Sequence, residues 1–207
     1  IVMSIKNPGI NCWLLDRFLV MAEYENLDIK ICLNKIDLAE EQEVNQIYNI
    51  YDKAGYCIIK TSTKTKEGIG LLKEALEGNI TVFAGPSGVG KSSLLNKVDT
   101  SLELMTGKVS KKTARGKHTT RHVELIDLGS ESYVLDTPGF SSLNLDFIES
   151  EVELSRYFKD MNKYSEECKF IGCLHHKEPD CEVKKQVEAG NIDRTRYKNY
   201  LSFLEEI

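Results

Sequence analysis

The chain has 207 residues, enough for one full domain and a small appendage. Hydrophobic residues at 41% and charged residues at 29% are ordinary for a globular fold, and no apolar run is long enough to cross a bilayer, which sets aside a membrane span. The net charge of −5 argues against a protein that coats nucleic acid at large.

The first residues, Ile1-Val2-Met3-Ser4-Ile5, read as a strand entered partway through. No basic region precedes a long apolar stretch, so they are not a signal peptide, and a preceding piece of chain is expected. Leu14, Leu15, Phe18, Leu19 and Ala22 then form an apolar stripe at helical spacing. The next strand, at 29–33, runs into Asn34-Lys35-Ile36-Asp37. A carboxylate at such a strand end accepts hydrogen bonds from guanine N1–H and N2–H₂, donors that adenine does not offer there, so Asp37 would discriminate between the bases. Asn34 would meet the N7/O6 side, and the Lys35 stem would pack over the base. Taken alone, N-K-x-D is a weak motif.

Val44, Ile47, Tyr48 and Tyr51 make a second helical stripe, followed by a strand at 56–59. Thr61-Ser62-Thr63-Lys64 follows and resembles a second base-recognition loop, [ST]-A-K, with Thr63 where alanine is usual. Leu71, Leu72, Ala75 and Leu76 give a third helix, and the strand at 80–84 opens into Gly85-Pro86-Ser87-Gly88-Val89-Gly90-Lys91-Ser92. This fits G-x-x-x-x-G-K-[ST] in its required setting, between a strand and the helix carrying Leu94, Leu95 and Val98. Gly85, Ser87, Gly88, Val89, Gly90, Lys91, Ser92 and Ser93 are therefore candidate phosphate-binding residues. The loop N–H groups and helix N-terminus suit anions, Lys91 would pair with β- and γ-phosphate oxygens, and Ser92 would ligate Mg²⁺.

Residues 106–123 carry six Lys and Arg (Lys108, Lys111, Lys112, Arg115, Lys117 and Arg121) with His118 and His122, and no acidic residue. The segment is either a solvated loop or a local patch for phosphates. At its end, a hydroxyl from Thr119 or, preferably, Thr120 would complete the Mg²⁺ shell. Strands at 122–127 and 132–135 follow, and the second ends in Asp136-Thr137-Pro138-Gly139. There Asp136 would hold Mg²⁺ through water, and the Gly139 N–H would meet the γ-phosphate. Phe140 stands where many GTPases have a water-orienting glutamine. The nearest polar candidate is His118, which would position water, contact RNA phosphate or be solvated. Slow intrinsic turnover, raised by a partner, is the expectation.

Strands alternating with helices imply an α/β fold with a mainly parallel sheet. Composition shifts near 143–150, which divides the chain into 1–145 and 146–207. In the second part, Tyr197, Tyr200, Leu201 and Leu204 recur at helical spacing. Cys168-x₄-Cys173-x-His175-x₅-Cys181 supplies three thiolates and an imidazole, a closed tetrahedral Zn²⁺ shell and hence a structural metal. His176 is an alternative to His175. Cys12, Cys32 and Cys57 sit singly in apolar patterns and read as reduced core residues, in keeping with a reducing cytosol.

The motif order N-K-I-D, T-S-T-K, G-P-S-G-V-G-K-S, H-T-T-R-H, D-T-P-G-F-S-S inverts that of ordinary small GTPases, because the guanine-reading loop comes first. Together with the C-x₄-C-x-H-x₅-C element, it resembles the RsgA family (also called YloQ or YjeQ), circularly permuted GTPases. The resemblance implies Mg²⁺-dependent GTP hydrolysis coupled to late maturation of the 30S ribosomal subunit, contact with 16S rRNA, stimulation by the 30S particle and a cytoplasmic, monomeric protein. It also implies a hydrolytic role for His118, and an N-terminal OB-fold ahead of the residues present here. An alternative is a nucleotide-switched rRNA-binding scaffold in which hydrolysis is incidental. A P-loop kinase or ATPase is a weaker one, opposed by Asp37.

Overall fold

The fold was obtained as a computed structural model, which describes residues 1–102, 104, 124–136 and 144–207. Among them are six strands: β1 (Val2–Ser4), β2 (Lys30–Asn34), β3 (Cys57–Lys60), β4 (Ile80–Phe83), β5 (Glu124–Gly129) and β6 (Ser132–Asp136). The helices are α1 (Cys12–Tyr24), α2 (Glu41–Lys53), α3 (Ile69–Leu76), α4 (Lys91–Val98), α5 (Lys159–Ser165), α6 (Glu182–Glu188) and α7 (Arg194–Leu204). A 3-10 turn, Glu151–Tyr157, precedes α5. Every stripe expected to be helical lies in a helix, and each expected strand overlaps an observed one. No helix is long and apolar enough to cross a membrane among the described residues.

Packing groups the described chain into two compact units. The first comprises Ile1–Ile10, Ile31–Val44 and Ile59–Ser141; the second comprises Asn11–Lys30, Asn45–Ile58 and Ser142–Ile207.

In the first unit the strands run β1-β2-β3 in one ladder and β4-β6-β5 in the other. β1 pairs parallel with β2, Val2 opposite Cys32, and β4 pairs parallel with β6, Ile80 opposite Tyr133. β5 runs antiparallel to β6, as a near-direct return from β5 into β6 requires. The Val2 N–H donates to the Ala84 carbonyl at 2.7 Å, tying β1 to the end of β4. The sheet is therefore mainly parallel, as the alternation of strands and helices implied. Leu72 and Leu76 of α3 and Leu94, Leu95 and Val98 of α4 close the core over Val2, Ile59, Phe83, Ile126 and Val134. This core sets the strand ends, where an open α/β sheet places its ligand.

The second unit is helical. Val20 of α1, Leu154, Phe158, Met161, Val183, Tyr200 and Phe203 form its core. Asn11 caps α1, its Oδ1 accepting from the Leu14 N–H at 3.0 Å, and Asp193 caps α7 through the Thr195 N–H at 2.7 Å. Inside this core lies a charge cluster. The Arg196 guanidinium donates to both Asp160 oxygens at 2.8 Å and to Asp16 Oδ1, while Asn199 Nδ2 donates to Asp16 Oδ2 at 2.6 Å. The rings of Tyr51, Tyr56 and Phe158 lie around the guanidinium carbon at 5.5, 5.5 and 5.2 Å.

Of the three cysteines expected in the core, Cys32 is buried and Cys12 half-buried, but Cys57 is exposed. Cys57 shares its face of β3 with the buried Ile59, but it is the first residue of the strand, where the cover over that face runs out.

Candidate nucleotide and metal sites

The first site is built from three loops that leave strand ends of the first unit. Asn34 closes β2, and its buried side chain points across to the glycine-rich loop. Its Nδ2 donates to the Val89 carbonyl at 2.8 Å, and its Oδ1 accepts from the Thr61 hydroxyl at 3.2 Å. Asn34, expected to face the base, is thus also the tie between the N-K-I-D loop and the phosphate loop. Lys35 adopts a left-handed backbone, φ 61°, that swings its side chain back over the same loop. Its Nζ donates to the Gly88 carbonyl at 2.6 Å and to the Asn7 carbonyl. Burial holds the Lys35 ammonium below its ordinary pKa, and the Asp37 carboxylate opposes that shift.

Asp37 is held by the second loop. The Ser62 hydroxyl donates to Asp37 Oδ1 at 2.6 Å while accepting from the Lys64 and Thr65 N–H groups at 3.2 and 3.1 Å. The Thr61 N–H donates to the Leu33 carbonyl at 2.8 Å, so the T-S-T-K loop is registered on β2. Thr61 and Ser62 are fully buried. Such fully paired polar side chains give each loop one geometry.

The glycine-rich loop runs from the end of β4 to the start of α4. Two of its glycines are sterically required. A Cβ on Gly85, φ +150°, would lie 2.1 Å from the Val2 carbonyl oxygen; one on Gly90, φ +102°, would lie 2.4 Å from Asn34 Nδ2. Val89 is buried in the core and anchors the loop between them. Lys91, the first residue of α4, reaches back so that its Nζ donates to the Gly85 and Pro86 carbonyls at 2.6 and 3.1 Å. Ser92 and Ser93 follow in the first turn of the helix, whose N-terminal N–H groups and dipole favour an anion. The structure thus brings together Asn34, Lys35, Asp37, Thr61, Ser62, Gly85, Ser87, Gly88, Val89, Gly90, Lys91, Ser92 and Ser93 around one set of strand ends.

His118, Thr119, Thr120, Gly139, Phe140 and the basic segment 106–123 lie outside the described residues. Asp136 is described only as the backbone residue that closes β6.

The second site lies in the helical unit. The ligand atoms of Cys168, Cys173, His175 and Cys181 all fall within 4.8 Å of one another. Cys168 Sγ and Cys181 Sγ are 3.8 Å apart, and His175 Nδ1 is 3.5 and 3.4 Å from them. A tetrahedral ion with Zn–S about 2.3 Å and Zn–N about 2.0–2.1 Å requires S···S near ~3.8 Å and S···N near ~3.6 Å, so the donor set and its spacing fit zinc. His175, not its neighbour His176, contributes the imidazole to this group.

Glu178 shapes the turn, accepting from the Leu174 and His176 N–H groups at 2.8 and 2.9 Å. His175 itself takes a left-handed backbone, φ 54°. The Tyr197 and Tyr200 hydroxyls of α7 donate to the His175 and Leu174 carbonyls at 2.7 and 2.8 Å. Burial pushes the Cys181 thiol up to about 12 and the His175 imidazole down. The protein alone therefore favours the neutral Cys181 thiol and His175 imidazole, and a cation bound among them would draw that thiol proton off. Glu178 and the two hydroxyls were not identified from sequence, although a buried tyrosine needs a partner for its hydroxyl and the stripe already held both tyrosines.

The chain is similar in sequence and fold to known proteins. A family model described as RsgA GTPase matches residues 1–146. A relative from Alkaliphilus metalliredigens, "Small ribosomal subunit biogenesis GTPase RsgA", is 49% identical over 207 residues, covering 100% of this chain and 70% of the relative. One of the same name from Clostridium botulinum is 47% identical over 207 residues, with the same coverage. Among solved structures, YjeQ from Thermotoga maritima superposes with a TM-score of 0.83 at 39% identity, covering 99% of this chain and 69% of that one. YloQ, described as a circularly permuted GTPase, gives 0.79 at 41% identity, covering 100% and 66%. With its guanine-reading loop ahead of its phosphate loop, the chain belongs to the RsgA family of circularly permuted GTPases.

Proposed function

We propose that the chain is a Mg²⁺-dependent GTPase of late 30S subunit maturation, working in the cytoplasm as a monomer and stimulated by the 30S particle. The observation that carries the nucleotide part is the direct bonding of Asn34 to Val89 and of Lys35 to Gly88, which joins a guanine-reading loop to a phosphate loop. Asp37, held by Ser62, would read the guanine edge, and Asn34 its N7/O6 side. The loop N–H groups from Gly85 to Ser93 would receive the phosphates. Lys91 would exchange its bonds to Gly85 and Pro86 for β- and γ-phosphate oxygens.

Mg²⁺, held by Ser92 and Thr120 with Asp136 reaching it through water, would neutralise charge developing on the phosphates. Gly139 would sense the γ-phosphate, and His118 would position the attacking water. The Cys168, Cys173, His175 and Cys181 cluster would hold one structural zinc and staple residues 146–207, the second of two sequence domains after 1–145. The names of the relatives support the ribosomal role, and the basic segment 106–123 supplies the charge for contact with 16S rRNA. The test is GTP turnover with and without purified 30S subunits. A slow basal rate raised by the particle is expected; equal rates would refute the proposed stimulation.

A further inference from the structure

The turn after β1, which neither motif includes, contacts the nucleotide site. Ser4, the last residue of β1, pairs with Asn34 across the ladder, and the Ile5 N–H donates to the Asn34 carbonyl at 3.1 Å. The Ser4 side chain does not follow the strand. Its hydroxyl, almost fully buried, donates to the Pro8 carbonyl at 2.7 Å and so closes the turn of residues 4–8 on itself. That closure has two consequences at the site. The Asn7 carbonyl is turned onto the Lys35 ammonium, beside the Gly88 carbonyl that the same ammonium binds. The Pro8 ring also stands against the phosphate loop, its Cδ 3.6 Å from where a Cβ on Gly88 would lie.

One ammonium therefore holds two carbonyls from segments far apart in sequence, and one buried hydroxyl keeps the first of them in place. A long lysine stem has many rotamers, and two fixed acceptors restrict it before a ligand arrives. Without the Ser4 bond the turn loses the side-chain hydrogen bond that closes it, which disfavours this form of the turn.

Resting on the guanine-nucleotide reading above, we infer that Ser4 is a positioning residue for that site. It acts through the 4–8 turn and the Asn7 carbonyl to hold Lys35 on the phosphate loop. The residue touches no ligand itself, and its effect passes through Lys35. Its loss should therefore weaken nucleotide binding only while Lys35 is present.

A double-mutant cycle read by calorimetric titration with GDP tests this. Ser4→Ala should weaken GDP binding about fivefold, the scale of one hydrogen bond. In a Lys35→Ala background the same substitution should change it by less than about 1.5-fold, because the two act as one unit. Ser4→Cys keeps the volume with a much weaker donor, and it gives the same reading should Ser4→Ala fail to fold. An equal loss in both backgrounds would mean a general structural role and overturn the inference. Tight wild-type binding that Ser4→Ala leaves unchanged would overturn it alone, whereas wild-type protein that binds no GDP would overturn the nucleotide reading as well.

Discussion

Replacing Arg196 with methionine removes one charge from a buried cluster of three. Arg196, Asp16 and Asp160 are all buried, and the guanidinium supplies both hydrogen bonds to Asp160 together with one to Asp16. Methionine roughly keeps the bulk against Tyr51, Tyr56 and Phe158 but leaves both carboxylates without the cation, Asp16 keeping its bond from Asn199. Breaking a buried ion pair from one side typically costs about 3–5 kcal/mol, a large part of the roughly 5–15 kcal/mol that holds a domain together.

The pH dependence has a definite sign. Burial already pushes the Asp16 carboxyl up to about 6, opposed by Arg196 and Asn199. A carboxyl raised on folding contributes stability that is full below its unfolded pKa and lost as pH rises through the folded one. Wild type should therefore lose this contribution between about pH 4 and pH 6, and Arg196→Met should extend the loss to higher pH. The assay is urea unfolding of both proteins at pH 5 and pH 8, followed by far-ultraviolet circular dichroism. A loss of under about 1 kcal/mol at pH 8, or a variant more stable at pH 8 than at pH 5, would refute the reasoning.

Two further outcomes follow from the same geometry. Stripping metal with a strong chelator should release one zinc per chain and lower the helical signal, because the turn carrying His175 and its tyrosine contacts to α7 would lose its centre; zinc assay and circular dichroism on one sample check this, and an unchanged spectrum would count against a staple. Gly90→Ala would place a methyl on Asn34 Nδ2 at a left-handed backbone position. GDP affinity should fall about tenfold or more by titration, and unaltered binding would show that the Asn34–Val89 tie does not matter.

Much of this was legible in the sequence because its chemistry is local. Glycines at 85, 88 and 90, a lysine at a helix start and N-K-x-D after a strand carry their own geometry, and the hydrophobic periods located the strand ends that present them. The ties between the loops were not legible. Asn34 and Lys35 bond to the carbonyls of Val89 and Gly88, and every residue has a carbonyl, so no residue type announces the pairing. The Ser4 turn was hidden for the same reason, since its partner is the Pro8 carbonyl.

The buried triad was missed on other grounds. Arg196 and Asp160 look like solvent-facing positions of short helices, and Asp16 stands off the apolar stripe of α1. Only their convergence identifies them, because charged residues are rarely buried without a partner. Cys57 shows the converse. Apolar neighbours in sequence suggested burial, but its place at the first residue of β3 left it exposed on the face that Ile59 buries.

The loops at residues 34–37 and 85–92 matter to function only as one guanine-reading site. Competitive titration of GDP against ADP on this chain measures that most directly. Asp37 and Asn34 lead to a preference for GDP of at least about 100-fold, abolished by Asp37→Ala. Equal affinities for the two nucleotides would contradict it.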